Sequence, residues 1–166
     1  MNIKRIFKHL FTTQFQFKRH FPPTTLDAIK QAIKDVEDNH EGEIRFVIEN
    51  HLDVSQLLAD TTAHERAIDI FSTLRVWDTE HNNGILIYLL LADHAVEIIA
   101  DRGINAKCTP ASWNTAITFM QSAFSNNEFK TGALEGIKYL ANCLEEHSQY
   151  KTRERINELP DEVVNI

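Results

Sequence analysis

A chain of 166 residues, 43% hydrophobic and 25% charged, has the composition of one ordinary globular domain, which excludes wholesale disorder. Its formal charge of −7 excludes nucleic-acid binding by the domain as a whole, because phosphate contacts need a basic face. The two cysteines, Cys108 and Cys143, give neither a disulfide framework nor a C-x-x-C or Cys/His ligand spacing.

The charge is unevenly placed. Residues 1–21 hold Lys4, Arg5, Lys8, Lys18 and Arg19 and no acid, whereas the other 145 residues hold 12 basic and 24 acidic side chains. The start MNIKRIFKHLFTTQ breaks its apolar run at Lys8 and His9 and lacks a small-residue cleavage site, so it does not read as a signal peptide. No apolar stretch approaches the ~20 residues that span a bilayer, and the longest covers residues 84–92. A cytoplasmic location is expected. The chain divides into a basic amphipathic arm (1–21), an α/β domain (22–147) and a polar C-terminal tail (148–166) that is expected to fray.

In the arm, Ile3, Ile6, Phe7, Leu10 and Phe11 recur at helical spacing opposite Lys4, Arg5 and Lys8. Such a helix either packs on its own domain, the commoner outcome, or makes peripheral contact with a membrane surface. Pro22-Pro23 ends it, and Thr24 or Thr25 is expected to cap a helix over about 26–38. Residues 43–49 alternate as a strand, with Ile44, Phe46 and Ile48 on one side. A helix is expected over about 61–76. Residues 84–91 form a continuous apolar run, the signature of a strand covered on both faces. Residues 95–100 make another strand after three turn residues, a spacing too short for a parallel crossover, so the pair must be a hairpin. Thr109-Pro110 opens a helix over about 110–124. Asn126 or Asn127 is expected to cap a last helix reaching about 147, in which Gly132 and Gly136 permit close packing. The fold class is therefore α/β, a small mixed sheet built on a central antiparallel hairpin (about 84–91 and 95–100) with helices on both faces.

The hairpin has a functional consequence. It brings Asp78, Glu80, Asn82 and Asn83, before the first strand, beside Asp101 and Arg102, after the second. Two oxygen-rich loops thus converge at one edge of a rigid scaffold. Oxygen ligands in this number suit a hard cation, Ca²⁺ or Mg²⁺. An EF-hand is ruled out, since Gly84 falls one place late and the twelfth position is Leu89. The plainer alternative is that Asn82-Asn83-Gly84 only turns the chain into the strand, with Asp78 as a local cap. Glu97 stands alone among Val96, Ile98 and Ile99, and Arg45 is its natural partner. Arg66, Arg75 and Arg102 are candidates to hold an anion such as phosphate. His64-Glu65-Arg66 is not a zinc motif, and no P-loop, dinucleotide fingerprint or nucleophile elbow is present.

Several of these stretches together resemble the TPM-domain family. They are Gly42-Glu-Ile-Arg-Phe-Val-Ile-Glu49, Arg66-Ala67, Trp77-Asp-Thr-Glu-His-Asn-Asn-Gly84, Ile98-Ile-Ala-Asp-Arg-Gly-Ile104 and Phe129-x-x-Gly132-x-x-x-Gly136. The resemblance covers about residues 24–146. It implies a small sheet sandwiched by helices, divalent-cation binding at the loops flanking the hairpin, and a modest acid-phosphatase activity found in some members. Carried over, the matching positions are Asn82, Asn83, Asp101 and Arg102, with Asp78 preceding them. With Glu80 from the loop reading, Asp78, Glu80, Asn82, Asn83 and Asp101 are expected to hold a Ca²⁺ or Mg²⁺ ion, and Asp101 and Arg102 to serve a phosphate-bearing small molecule. The chain looks like a stand-alone, soluble form of the family, without the usual secretion signal and following transmembrane helix. The alternative function is a non-catalytic accessory module whose basic arm docks on an acidic protein partner or a membrane surface.

Overall fold

The apolar run at 84–90 turns side chains toward both faces, so it can only be stable where both are covered. The computed structural model describes residues 3–40, 42–145 and 157–166. In chain order they form α1 (Ile3–Phe11), α2 (Gln14–His20), α3 (Pro23–Glu37), β1 (Glu43–Glu49), α4 (Val54–Leu58), α5 (Ala63–Thr73) and β2 (Gly84–Leu90). A 3₁₀ turn (Leu91–Asp93) then leads to β3 (Ala95–Ala100), α6 (Arg102–Asn105), α7 (Pro110–Ser125), α8 (Phe129–Glu145) and β4 (Val164–Asn165).

The sheet order is β3-β2-β1-β4, with every residue of β2 buried at its centre. β2 and β3 form the expected antiparallel hairpin, Ile85 opposite Ala100 and Leu90 opposite Ala95. β1 runs parallel to β2, Glu43 opposite Gly84, the crossover being made through α4 and α5. One face, carrying Ile44, Phe46, Ile48, Ile85, Ile87 and Leu89, packs against α3, α7 and α8. The other face, carrying Val47, Leu86, Tyr88 and Leu90, packs against Ala67 and Ile70 of α5 and against Leu52, Leu57 and Val76. Each such fully buried aliphatic side chain stabilises the fold by about 2 kcal/mol. Helices therefore cover both faces, as the hydrophobic pattern requires.

Local chemistry explains most boundaries. The Thr62 side chain accepts from the Glu65 amide and starts α5, and Thr109 accepts from the Ser112 amide and starts α7 with Pro110 in the first turn. α3 begins at Pro23 itself and not after a threonine cap, because a proline in the first turn loses no helical hydrogen bond. Between α7 and α8 the turn is made by Asn127 in the left-handed region (φ 62°), so it is Glu128 that precedes α8. Gly132 and Gly136 face α7, where a β-carbon would lie 2.7 Å from Phe124 and 2.5 Å from Met120, so they do serve close helix packing. Four short elements, α2, α4, α6 and β4, carry too few residues for a period to be read.

Three expectations need correction. The tail does not fray where it is described: Val164 and Asn165 pair in parallel with Val47 and Ile48, and Leu159 is buried. Residues 146–156, including the expected end of the last helix and the first part of the tail, lie outside the described residues. Arg45 and Glu97 do not pair, because β2 separates their strands. Arg45 donates instead to the carbonyls of Pro160 and Glu162, and Glu97 lies 3.0 Å from His64 of α5. Finally, α1 docks on the domain by the face opposite its apolar stripe. Arg5, Ile6 and His9 turn inward, and Ile3, Phe7, Leu10 and Phe11 are exposed.

Candidate functional site

The two loops at the hairpin edge do converge, and backbone packing brings them together. At Gly84 a β-carbon would sit 1.9 Å from the Val76 carbonyl oxygen, and at Gly103 one would sit 2.3 Å from the His81 carbonyl oxygen. Neither glycine has positive φ, so both are required by close approach and not by conformation. The left-handed residue is Asn82 (φ 53°), which asparagine tolerates. Its carbonyl accepts from the amides of Gly103 at 2.9 Å and Ile104 at 3.2 Å, and its Oδ1 accepts from Arg102 Nε at 3.2 Å. Asn83 is buried, with its amide donating to Thr79 Oγ1 and its carbonyl accepting from the Glu43 amide.

Asp101 is the pivot of this junction. Its amide donates to the Gly84 carbonyl, continuing the hairpin ladder, and its Oδ1 accepts from the Arg102 amide at 2.7 Å. Its second oxygen, Oδ2, is buried and has no hydrogen-bond partner among the described residues. A buried acceptor left in that state costs about 1–3 kcal/mol unless something else satisfies it. Of the residues singled out from sequence, the fold thus gathers Asn82, Asn83, Asp101 and Arg102. The side chains of Asp78 and Glu80 are exposed on the outer rim of the loop, where the Glu80 amide donates to the carboxylate of Glu158. Among the described residues, no group of three or more His, Cys, Asp or Glu side chains is placed to hold a metal ion.

The neighbourhood is more acidic than the loops alone suggest. Glu37, Glu43 and Asp161 are buried at the same end of the sheet. Glu43 accepts from the amides of Glu158 and Leu159, and Glu37 accepts from the Ile44 amide at 2.6 Å. Burial pushes the Glu37 carboxyl up to about 8 despite that hydrogen bond, and the nearby charges of Glu43 and Asp161 push the same way. Sequence reasoning missed this group. Glu43 opens an alternating strand in which nothing local marks it for burial, and no sequence signal ties position 161 to position 37.

A second polar cluster lies on the α5 face, at the other end of β1. Glu49 is buried and receives a bidentate contact from Arg66, Nε at 2.9 Å and Nη2 at 2.9 Å, plus the Tyr88 hydroxyl at 2.6 Å. Burial and the Glu49 charge raise the Tyr88 hydroxyl well above its ordinary range, so it remains a donor. Arg66 is therefore committed to a structural pair, which removes it from the anion-binding candidates. Arg75 is exposed, in the left-handed region after α5. A surface depression between α3 and α8, bordered by Asp35, Asn39, Glu135 and Lys138, shares no residue with either hairpin-edge loop.

Comparison with known proteins supports the fold. The family model of the TPM domain matches residues 16–143. Among solved structures, the NMR structure of the BA42 protein from the psychrophilic bacterium Bizionia argentinensis superposes with a TM-score of 0.74 at 31% identity, over 86% of this chain and 92% of that one. No curated protein matches the chain. The mixed four-stranded sheet, its helical cover and the family match over most of the sequence together establish that this chain belongs to the TPM-domain family.

Proposed function

We propose that the domain binds a divalent cation at the junction of the 77–84 and 101–104 loops, and that any hydrolysis of phosphate esters is secondary to that binding. The observation that carries this reading is the Oδ2 of Asp101, buried without a hydrogen-bond partner among the described residues, at a junction where the backbone holds Asn82 beside Gly103 and Ile104. The residues present fit a hard, oxygen-seeking ion that keeps several of its waters, such as Mg²⁺ or Ca²⁺, and do not fit zinc, which wants nitrogen or sulfur. Asp101 would hold it, with Asn82 and Asn83 as neutral oxygen donors and the exposed carboxylates of Asp78 and Glu80 adding long-range attraction. The buried acids Glu37, Glu43 and Asp161 contribute a negative field at the same end of the sheet whenever they are ionised.

When bound, such an ion polarises a phosphoryl oxygen and lowers the pKa of a coordinated water. Arg102 is exposed beside Asn82, which supports a role for it in meeting the charge of a phosphate ester. No side chain at the junction has the surroundings of an activated nucleophile, so the expected turnover is low.

Amide chemical-shift titration with Ca²⁺ and Mg²⁺ tests the binding step. Saturable shifts are expected in residues 78–84 and 101–104, and their loss in Asp101→Asn. Shifts spread evenly over the acidic surface, or unchanged in the variant, would refute the site. Hydrolysis of a generic aryl phosphate with Mg²⁺, Mn²⁺ or Ca²⁺ tests the chemistry separately. Equal rates in wild type and Asp78→Ala/Asp101→Ala would remove the catalytic half of the reading and leave the binding half standing.

A further inference from the structure

An amphipathic helix on a globular domain ordinarily buries its apolar stripe and leaves its charges in water. α1 does the reverse. Ile6 alone of its apolar residues packs inward, and the rest of the inward face is polar: His9, which is buried, accepts from the Leu52 amide through Nδ1 at 2.9 Å, and its Nε2 lies 3.1 Å from Asp93. Arg5 donates to the other Asp93 oxygen at 2.9 Å. Burial alone would raise the Asp93 carboxyl, but the bonds from His9 and Arg5 outweigh it and hold the group below its ordinary range, as a carboxylate. Three short contacts to the 3₁₀ turn and the β1–α4 loop thus fix the helix in the inverted orientation.

The outward face is apolar. Ile3 is 59% exposed, Phe7 55%, Leu10 58% and Phe11 71%, and Phe15 at the start of α2 is 73% exposed. The rings of Phe7 and Phe11 stack on each other with centroids 6.4 Å apart. Lys4 and Lys8 border this face, Lys18 and Arg19 follow on α2, and all four are exposed without an ion pair among the described residues. Residues 1–21 contain no acid at all.

We propose that this face is a docking surface for an anionic lipid bilayer, with the apolar row seated at the headgroup boundary and the lysines against the lipid phosphates. The surface is a convex helix face and not a groove, which suits a soft planar partner better than a protein helix. Charge selects the sign of the lipid. The arm is purely basic, and the rest of the chain, strongly acidic, is repelled from the same surface, so only one orientation is favourable. In that orientation α1, seated over the Asp93 turn, faces the membrane, and the Asp101 junction at the opposite end of the hairpin faces the solvent. The proposal does not depend on cation binding there.

The test is flotation of the full chain with phosphatidylcholine vesicles containing 30% phosphatidylserine, against pure phosphatidylcholine vesicles. Wild type is expected to float with the anionic vesicles at least fivefold more than with the neutral ones, and to be released by added salt. Phe7→Ser/Phe11→Ser should abolish flotation, and Lys4→Glu/Lys8→Glu should reduce it severalfold. All four positions are exposed, and thermal melts are expected to match wild type. Wild type that stays with the soluble fraction, or a double-serine variant that floats equally, overturns the proposal. So does a concentration-dependent dimer that is abolished by Phe7→Ser/Phe11→Ser while vesicles capture nothing, since the face would then serve a second copy of the chain.

Discussion

The two ends of the sheet treat buried charge in opposite ways. At the end where β1 finishes, Glu49 has a bidentate arginine and a tyrosine hydroxyl around it, and Asp93 nearby is held by Arg5 and His9. At the end where β1 begins, Asp101 keeps one oxygen buried without a partner among the described residues, and Glu37, Glu43 and Asp161 crowd together. A buried ion pair costs desolvation that only good geometry offsets, so the first end is understandable as a rigid clamp between α5, β1 and β2. Among the described residues, neutral buried atoms without a partner occur at both ends, Asn50 Oδ1 at the first being one. It is at the second that a carboxylate oxygen is left so and a buried acid is pushed up, the pattern that marks a candidate site. The difference separates structural carboxylates from candidate ligands within one small domain.

Breaking the backbone of the open end should have the largest effect. Gly84→Ala sets a methyl group against the Val76 carbonyl, and a backbone oxygen cannot swing aside as a flexible side chain can. A loss of about 4 kcal/mol in urea unfolding is expected, which would place the substitution among the most damaging of its kind. An effect below about 1 kcal/mol would mean that the loop does not depend on this approach. At the closed end, Arg66→Ala leaves Glu49 buried with only Tyr88, and should cost about 3 kcal/mol. It should leave cation-induced shifts at residues 78–84 unchanged, and altered shifts would mean that the two ends are coupled.

The acidic cluster gives a subtler contrast, visible in pH dependence. The Glu37 carboxyl titrates near 8 when folded and near 4.5 in the unfolded chain. Between those values the folded state holds a proton that the unfolded state has lost, so stability falls as pH rises through this window. Glu37→Gln should flatten that slope, gaining on wild type by roughly 3 kcal/mol at pH 8 relative to pH 5. A slope that is identical in the two proteins would assign it to other groups. The smallest effect on stability is expected at the proposed site itself. Asp101→Asn should change unfolding by under about 0.5 kcal/mol while removing the cation response, and a large loss would mark Asp101 as a structural cap instead.

Much of this molecule was legible along the chain. The continuous apolar run at 84–90 could only be a central strand, and the three-residue turn after it could only be a hairpin, because both follow from local period and connection length. The convergence of Asn82, Asn83, Asp101 and Arg102 followed from the hairpin alone. The mispairing of Arg45 with Glu97 came from the same style of reasoning carried one strand too far. Composition cannot say that β2 lies between β1 and β3, and with β2 there the two side chains are a full strand apart.

What the amino-acid sequence determined by itself was the set of elements and their hydrophobic faces, since these depend on residues close along the chain. Tertiary structure alone decided which partners those elements found. It returned a polar C-terminal segment to the sheet edge as β4, and it committed Arg66 to Glu49. It brought Asp161 to Glu37 and Glu43 from the far end of the chain, and it turned all but Ile6 of the apolar stripe of α1 toward solvent. Such outcomes rest on contacts between residues in different elements, from 17 to more than a hundred positions apart, or on the competition of one polar contact against an apolar one. Neither leaves a periodic trace in the sequence for a local reading to find.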